Sequence, residues 1–369
     1  MKEVQKKYLA NQISKHINRY FSDHIAMNLK EMTIHFNHQS QLRDDISNCI
    51  VLLSDELLEE DYNDIRNLKC NNTNLIFLGG LNNLSDKWKP FPSATKPLIY
   101  KNSKNSFLIG WKCGKFIFDL LTIKEEYNSK DLDLHGRYIA KQSKRFPYDL
   151  LKVPFFNEVC ACIALGLIDN LKINNDEILF QEHIRPIEIG ISHDIDLVRG
   201  DHLITQIIRL GNILRNKSSF RYIIENFLYP HKYHKENIKK IINLENKHNL
   251  TSMFYVLNGK KGRYLSRARL KDVKKLINEI KDPWSLGVHY NYDTHHNSKK
   301  LLKQIKQISC QSNLFKNIGR AHYLRAYYPK SFYSWIDAGI TVDESLGYYD
   351  YVGFRAGIAG IYNPYDLNN

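Results

Sequence analysis

From residue 186 onward, apolar and polar positions fall into short alternating runs separated by longer stretches with helical spacing. Ile187-Glu188-Ile189-Gly190-Ile191-Ser192 alternates with period two and predicts a strand. The mostly helical residues that follow place Leu203, Ile204, Ile207 and Ile208 on one face and Ile238, Ile241 and Ile242 on another. Residues 251–257 form the next predicted strand. Val273, Leu276, Ile277 and Ile280 then mark a helix, and residues 285–290 a strand. Asn297 or Ser298 can cap a helix that carries Leu301, Leu302, Ile305 and Ile308. A strand over 318–324, a short helix over 332–338 ended by Gly339, and a strand over 340–343 complete the series. Strand and helix alternating at this spacing predict parallel βα units, open or closed into a barrel. In either form the chemistry belongs at the C-terminal ends of the strands.

The first half mixes both signals. Val4, Tyr8, Leu9 and Ile13 predict an opening helix, and residues 74–80 and 107–111 read as short strands with glycine punctuation. Residues 155–168 suit a buried helix. The polar stretch 169–177, with Asn174 and Asn175 at its centre, marks the expected boundary between an α/β N-terminal domain over 1–180 and a second domain over 181–369. No internal repeat interrupts this organisation.

Composition narrows the class without naming it. The 369 residues are 43% hydrophobic and 25% charged, the mix of a soluble globular protein. No run approaches the roughly 18 consecutive apolar residues that span a bilayer. Residues 2–7 lead into no apolar signal core, so a cytoplasmic location is expected. Six cysteines are scattered without a Cys-x-x-Cys pair, which suits reduced thiols better than a disulfide set or a zinc knuckle. The formal net charge of +14 raises the question of a nucleic-acid partner. The excess is spread over many helices, and the dense basic stretch 299–306 alternates with Leu301, Leu302 and Ile305 as the wet face of an amphipathic helix does. That distribution reads first as a solvated face and argues against nucleic acid; an anionic glycan or envelope partner is the alternative.

The strand ends carry the candidate chemistry. The first ends Ser192-His193-Asp194-Ile195-Asp196, and the third carries His289-Tyr290-Asn291-Tyr292-Asp293. The fourth carries Arg320-Ala321-His322-Tyr323-Leu324-Arg325, and the fifth is followed by Asp343, Ser345 and Gly347, then Gly353-Phe354-Arg355-Ala356-Gly357. Period-two alternation puts Asp194 and Asp196 on one side of an extended segment, and likewise Arg320 and His322. Two carboxylates and two imidazoles converging there can hold a divalent cation and still spare a carboxylate as base. Taken singly, each element has a plainer reading: Asp-x-Asp as a loop feature, His193 as a packing residue, His289 as a hydrogen-bonded core histidine, His295 and His296 as exposed loop residues, Arg355 as an ion-pair partner. The specificity lies in the set falling at successive strand ends.

In this order Ser-His-Asp-Ile-Asp, residues 251–257, Leu-Gly-Val-His, Arg-Ala-His-Tyr-Leu-Arg, residues 338–348 and Gly-Phe-Arg-Ala-Gly resemble the polysaccharide deacetylase (NodB-homology) family. The likeness is to a branch whose barrel follows an N-terminal domain of unknown function. Glu125-Glu126-Tyr127, Asp133-Leu134-His135-Gly136-Arg137 and Ser143 resemble a signature of that leading domain. The resemblance covers residues 115–367. It implies a distorted (β/α) barrel over 181–369 that removes an acetyl group from an N-acetylated sugar or surface-glycan precursor with a divalent metal, zinc above others. It makes Asp194 the general base, Asp196 and His289 metal ligands, and Arg320 or Arg325 the arginine that orients the base.

The resemblance is incomplete at two places. The second histidine of the family's His-x-x-x-His pair falls on Asp293, which spacing favours as third ligand, while His322 could complete the site instead. The family's late Leu-x-His, its general acid, has no counterpart after Arg355. The expectations are therefore that another histidine, His322 or His295, takes that role, or that the domain is short and slow. The alternative is a catalytically inactive protein of this fold that binds glycan or a partner enzyme.

Overall fold

The structure is a computed structural model that describes residues 2–17, 33–37, 49–53, 76–77, 99–101, 107–109, 113–127, 129–148, 150–157, 159–160, 189–196, 228–229, 232–259 and 269–368. The expected helix beyond residue 160, the boundary at 169–177 and the helical face formed by Leu203, Ile204, Ile207 and Ile208 lie outside the described residues. The chain divides into two compact units: Met1–Ser129 with Ile139–Ile187 and Asp350–Asn369, and Lys130–Tyr138 with Glu188–Tyr349. The units interleave along the chain, so neither coincides with a single run of sequence. No helix among the described residues is long and apolar enough to cross a membrane.

The first unit holds a mixed five-stranded sheet built from β1 (Thr33–Asn37), β2 (Cys49–Leu53), β3 (Ile76–Phe77), β4 (Ile99–Lys101) and β5 (Phe107–Ile109). The strand order is β1-β2-β5-β4-β3, with β1, β2 and β5 parallel and β3, β4 and β5 antiparallel in succession. The opening helix Glu3–Ile17 buries Leu9, Ile13 and Ile17, four residues apart and therefore on one face, while Val4 stays exposed. Ile117 and Leu121 of the helix Cys113–Leu121 are buried at the same spacing. Each such side chain contributes about 1.5–3 kcal/mol through the apolar surface it removes from water.

Charge is also buried in this unit. Arg355, 3% exposed, donates from Nε to Glu126 at 2.6 Å and from its second arm to the other oxygen of the same carboxylate. Arg145 donates to the carbonyls of Phe354 and Arg355 and to Glu125, whose carboxylate also accepts from Ser143 Oγ. Burial pushes the Glu126 carboxyl up, and Arg355 opposes that push. Glu125, Glu126, Ser143 and Gly-Phe-Arg-Ala-Gly thus form one internal network, so Arg355 is an ion-pair partner here.

The second unit holds β6 (Ile191–Ile195), β7 (Ser252–Val256), β8 (Ser285–Tyr290), β9 (Phe315–Ala321) and β10 (Val342–Asp343) in the order β10-β9-β8-β7-β6, all parallel. This is the mixed α/β architecture with a parallel sheet that the alternation predicts. The helices Lys232–Lys247, Leu270–Ile277, Ser298–Ser309 and Lys330–Asp337 lie in the connections. Asn297 caps the third of these, its Oδ1 accepting from Lys300 N at 2.9 Å. Leu301, Ile305 and Ile308 are buried on one face of that helix, which packs on β8 and β9.

Strand order equals chain order, so every crossover steps the same way and the sheet never reverses. In a flat sheet the edges β6 and β10 would stand about 19 Å apart, four steps of about 4.8 Å. Yet Ser192 of β6 donates from Oγ to Glu344, the residue after β10, at 2.8 Å. The sheet is therefore strongly curled, and its inner face is narrow. Gly287 of β8 shows how narrow: a Cβ there would come within 2.5 Å of the Ile318 carbonyl oxygen and 2.6 Å of the Tyr255 ring.

One strand limit differs from expectation for a local reason. The strand expected over 318–324 ends at Ala321, because Tyr323 (φ 62°) and Leu324 (φ 50°) take left-handed backbone. The short helix ends before Gly339 (φ 84°), as expected.

Candidate metal centre

Alternation along β6 sorts its side chains. His193 points away from the inner face, with Nε2 2.8 Å from Glu245 Oε1. Glu245 also accepts from Ser252 Oγ at 2.9 Å and Trp284 Nε1 at 2.6 Å. Burial works to raise the Glu245 carboxyl, but these three donors together hold it below its ordinary value. His193 is therefore a packing and tethering residue. Ser192 and Asp194 face the other way, and Asp196 follows beyond the strand end.

His289, 2% exposed, comes from the end of β8. Its Nδ1 lies 2.8 Å from the Arg320 carbonyl oxygen, which can only accept, so Nδ1 carries the proton. Gln304 secures the strand end by donating to the His289 carbonyl at 2.6 Å and accepting from Asn291 N at 2.9 Å. The remaining nitrogen, Nε2, faces Asp196 Oδ1 at 3.1 Å and His322 Nδ1 at 3.1 Å. His322 Nδ1 is 3.5 Å from the same Asp196 oxygen.

Asp196, His289 and His322 thus form a triangle of ligand atoms, the one such group of three found among the described residues. Tetrahedral zinc with bonds of about 2.0–2.2 Å sets its ligand atoms about 3.3–3.6 Å apart, within a few tenths of an ångström of the edges of this triangle. A single proton on His322 Nδ1 can satisfy one of these contacts, whereas a cation at the centre satisfies all three. The residues present therefore fit a divalent ion. The His289 and then the His322 imidazole beside it hold the Asp196 carboxyl well below its usual range. The second coordination layer is present as well: the His289 Nδ1–H on a backbone carbonyl is the contact that orients a ligating imidazole.

Asp194 stands beside the triangle. Its Oδ1 accepts from Arg320 Nη1 at 3.1 Å, and its Oδ2 lies 3.9 Å from His289 Nε2. The other arm of Arg320 reaches Ser192 Oγ and Glu344 Oε2, the latter at 2.8 Å. The Arg320 guanidinium also lies 5.2 Å from the Tyr255 ring centre, and burial together with Glu344 pushes that phenol up. Arg320 is consequently held by four neighbours and cannot swing away from Asp194. Ser192, Tyr255 and Glu344 were not candidates on sequence. The period-two rule applied outward from Asp194 reaches Ser192, but the partners on β7 and after β10 depend on the curl of the sheet.

The other candidates sit elsewhere. Asp293 does not join the triangle: it lies in the short turn Tyr292–Thr294, half-exposed, with Oδ2 2.9 Å from Lys300 Nζ. A spacing of four brings side chains together on a helix, but His289 is on a strand and Asp293 is past its end, so their directions diverge. His322 fills the third corner of the triangle. Arg325 is tied to backbone, donating to the carbonyls of His135 (2.8 Å) and Tyr292 (2.7 Å), and Asp194 has Arg320 instead. His295 stacks near His296 with ring centres 4.1 Å apart, and burial pushes it down to about 4, which leaves it neutral near pH 7.

The local backbone explains how His322 is aimed. Ala321 N donates to Ser345 Oγ at 2.7 Å, and Ser345 is clamped by Asp343 through both its N–H (2.9 Å) and its hydroxyl (2.8 Å). The left-handed residues Tyr323 and Leu324 then turn the chain sharply. Such conformations cost roughly 1–3 kcal/mol each in non-glycine residues and cluster at functional sites. Chemically the arrangement offers a group that could hold a cation, a second carboxylate next to it, and an arginine that fixes that carboxylate.

Compared with known proteins, the chain matches no family profile, no curated protein and no solved structure.

Proposed function

We propose that this protein is a metal-dependent carbohydrate deacetylase, a hydrolase that cleaves the acetamide C–N bond of an N-acetylated sugar or surface-glycan precursor. The observation that carries the reading is the Asp196–His289–His322 triangle with Asp194, locked by Arg320, at its edge. Two imidazoles and one carboxylate favour zinc over magnesium or calcium, which prefer all-oxygen sets. The contact between Ser192 and Glu344 across the ends of the sheet supports the deacetylase-type barrel implied by the sequence motifs.

The chemistry such a cation supplies is polarisation of the acyl carbonyl and acidification of a water molecule. Asp194 takes the proton of the attacking water as general base. Arg320 holds that carboxylate in place through its hydrogen bond to Oδ1. Asp194, now protonated, returns the proton to the departing amine, so that acetate and a free amino sugar leave and the site is restored.

Acetate release from N-acetylated oligosaccharides, measured with zinc, cobalt and manganese supplied in turn, tests this directly. Asp194→Asn should keep the metal and the fold and lose about 10²–10⁴-fold in turnover, the usual share of a general base. Undiminished turnover in that variant sinks the assignment. Zinc bound at one ion per chain with no acetate released would leave a glycan-binding protein in its place.

A further inference from the structure

We infer that the segment 132–138 is a positioning element for His322, with Arg137 as its working residue and Asp133 as its anchor; the inference rests on the metal-centre reading. The segment is far away in sequence but belongs to the same compact unit as the candidate site.

The segment is tied to itself before it touches anything else. Leu132 and Tyr138 form an isolated antiparallel bridge, and Gly136 (φ 74°) makes the tight turn between them. Asp133 Oδ1 accepts from the backbone N–H of His135 (2.9 Å) and of Arg137 (2.8 Å). Its Oδ2 accepts from both Arg137 Nε (2.9 Å) and Nη2 (2.7 Å), two donors on one oxygen that fix the guanidinium plane. Arg137 is 7% exposed, and its guanidinium carbon sits 3.4 Å from the Tyr349 ring centre. Only one arm is left to reach outward. It donates from Nη1 to the carbonyl of Tyr323 at 2.6 Å.

Tyr323 is the residue after His322 and the first of the two left-handed residues. Non-glycine residues stay in that region only where the surroundings over-determine them. Here the surroundings are this segment. Arg137 holds the Tyr323 carbonyl, and the His135 ring stacks on the Tyr323 ring with centres 5.0 Å apart and planes 24° apart. His135 is itself fixed, Nδ1 lying 3.0 Å from Tyr292 Oη and its carbonyl accepting from Arg325 Nε at 2.8 Å. The turn held in this way is the one that points His322 Nδ1 at Asp196 and His289. These contacts of the segment reach Tyr323, Tyr292, Arg325 and Tyr349 and not a ligand side chain, so the role it has through them is positioning. Groups at this remove from a metal alter its affinity about 10–100-fold.

The test compares full-length wild type with Arg137→Gln, Arg137→Lys and Leu134→Ala; Leu134 is 76% exposed at the tip of the turn and serves as the control. Two readouts are taken on each: the ring-nitrogen chemical shifts of His322 in isotope-labelled, metal-free protein, and the zinc dissociation constant by chelator competition, with the visible bands of the cobalt form alongside. Arg137→Gln should move the His322 signals, weaken zinc about 10–100-fold and alter the cobalt bands, with circular dichroism unchanged. Arg137→Lys cannot supply two donors to Asp133 and a third to Tyr323 in one plane and should fall in the same direction, and it decides the question if the glutamine variant does not fold. Leu134→Ala should match wild type. If the arginine variants keep wild-type His322 shifts and zinc affinity, the proposal is overturned. If wild type itself takes no zinc, the metal-centre reading fails, and the His322 shifts alone then decide whether Arg137 positions that ring.

Discussion

Glu126 with Arg355 in one unit, and Asp196 with His289 and His322 in the other, are both ionisable sets drawn from distant parts of the chain. They differ in how their charge is satisfied. Arg355 meets Glu126 through a fork of two donors on two acceptors, with Arg145 and Ser143 closing the remaining valences on Glu125. Every charge there has its opposite, and the pair is almost fully buried. In the second set, acceptors face one another: with Nδ1 of His289 committed to a backbone carbonyl, its Nε2 lone pair is aimed at a carboxylate oxygen. The first set pairs each charge with its opposite, whereas the second is a group of three ligand atoms that could hold a cation. Internal balance marks a structural network, and the lack of it marks a site.

The comparison is broken most severely by removing one partner of the closed pair. Arg355→Ala strands a buried carboxylate and should lower stability by roughly 3–5 kcal/mol, read from chemical denaturation. Because the pair is structural, replacing both members by neutral groups, as in Glu126→Gln with Arg355→Met, should recover much of that loss. A double variant no better than the single one would show that the charges themselves are required.

The open set should respond to metal instead. Zinc at about a hundredfold above its dissociation constant should stabilise wild type by about 2.7 kcal/mol. His289→Ala and Asp196→Ala should lose this gain, while Arg355→Ala, though weaker overall, should keep it. Equal stabilisation of all four proteins would place the zinc somewhere other than the triangle.

Gly287 tests the curl of the sheet that brings the site together. Gly287→Ala forces a methyl group against Tyr255 and the β9 backbone, and overpacking of this kind costs about 1–3 kcal/mol. The same change should disturb the contacts Tyr255 makes with Arg320 and so lower turnover beyond the loss of stability. A neutral substitution would mean that the inner face has room to spare.

Sequence patterning reached the parallel strands of the second unit because their period is local: residues 285–290 are both the predicted strand and the observed one. It also put Asp194, Asp196 and His289 at strand ends, where the structure brings them together. It favoured Asp293 over His322, because a four-residue spacing carries meaning only if the backbone is helical, and the left-handed turn at Tyr323 that aims His322 has no periodic signature. The pairing of Glu344 with Ser192 and the docking of Arg137 on Tyr323 depend on contacts separated by 152 and 186 residues. Such contacts follow from the curl of the sheet and from the path of the chain between units, neither of which a local pattern encodes.

The smallest expected effect is a pH dependence that separates two buried glutamates. Glu126 is raised by burial despite Arg355, whereas Glu245 is held low by His193, Trp284 and Ser252 against the same burial penalty. A lowered folded-state value means that the unfolded chain binds the proton more readily, so Glu245 contributes stability above the ordinary carboxylate range and loses it as pH falls through that range. Glu126 has the opposite sign: its contribution is present below the unfolded value and is lost as pH rises through the folded one. Glu245→Gln should therefore be less stable than wild type at pH 7, with the gap shrinking toward pH 4. Glu126→Gln should show its gap widening as pH falls. Denaturation midpoints at pH 4, 5, 6 and 7 give both slopes, and slopes of the same sign would mean that one of the two carboxylates is not paired as described.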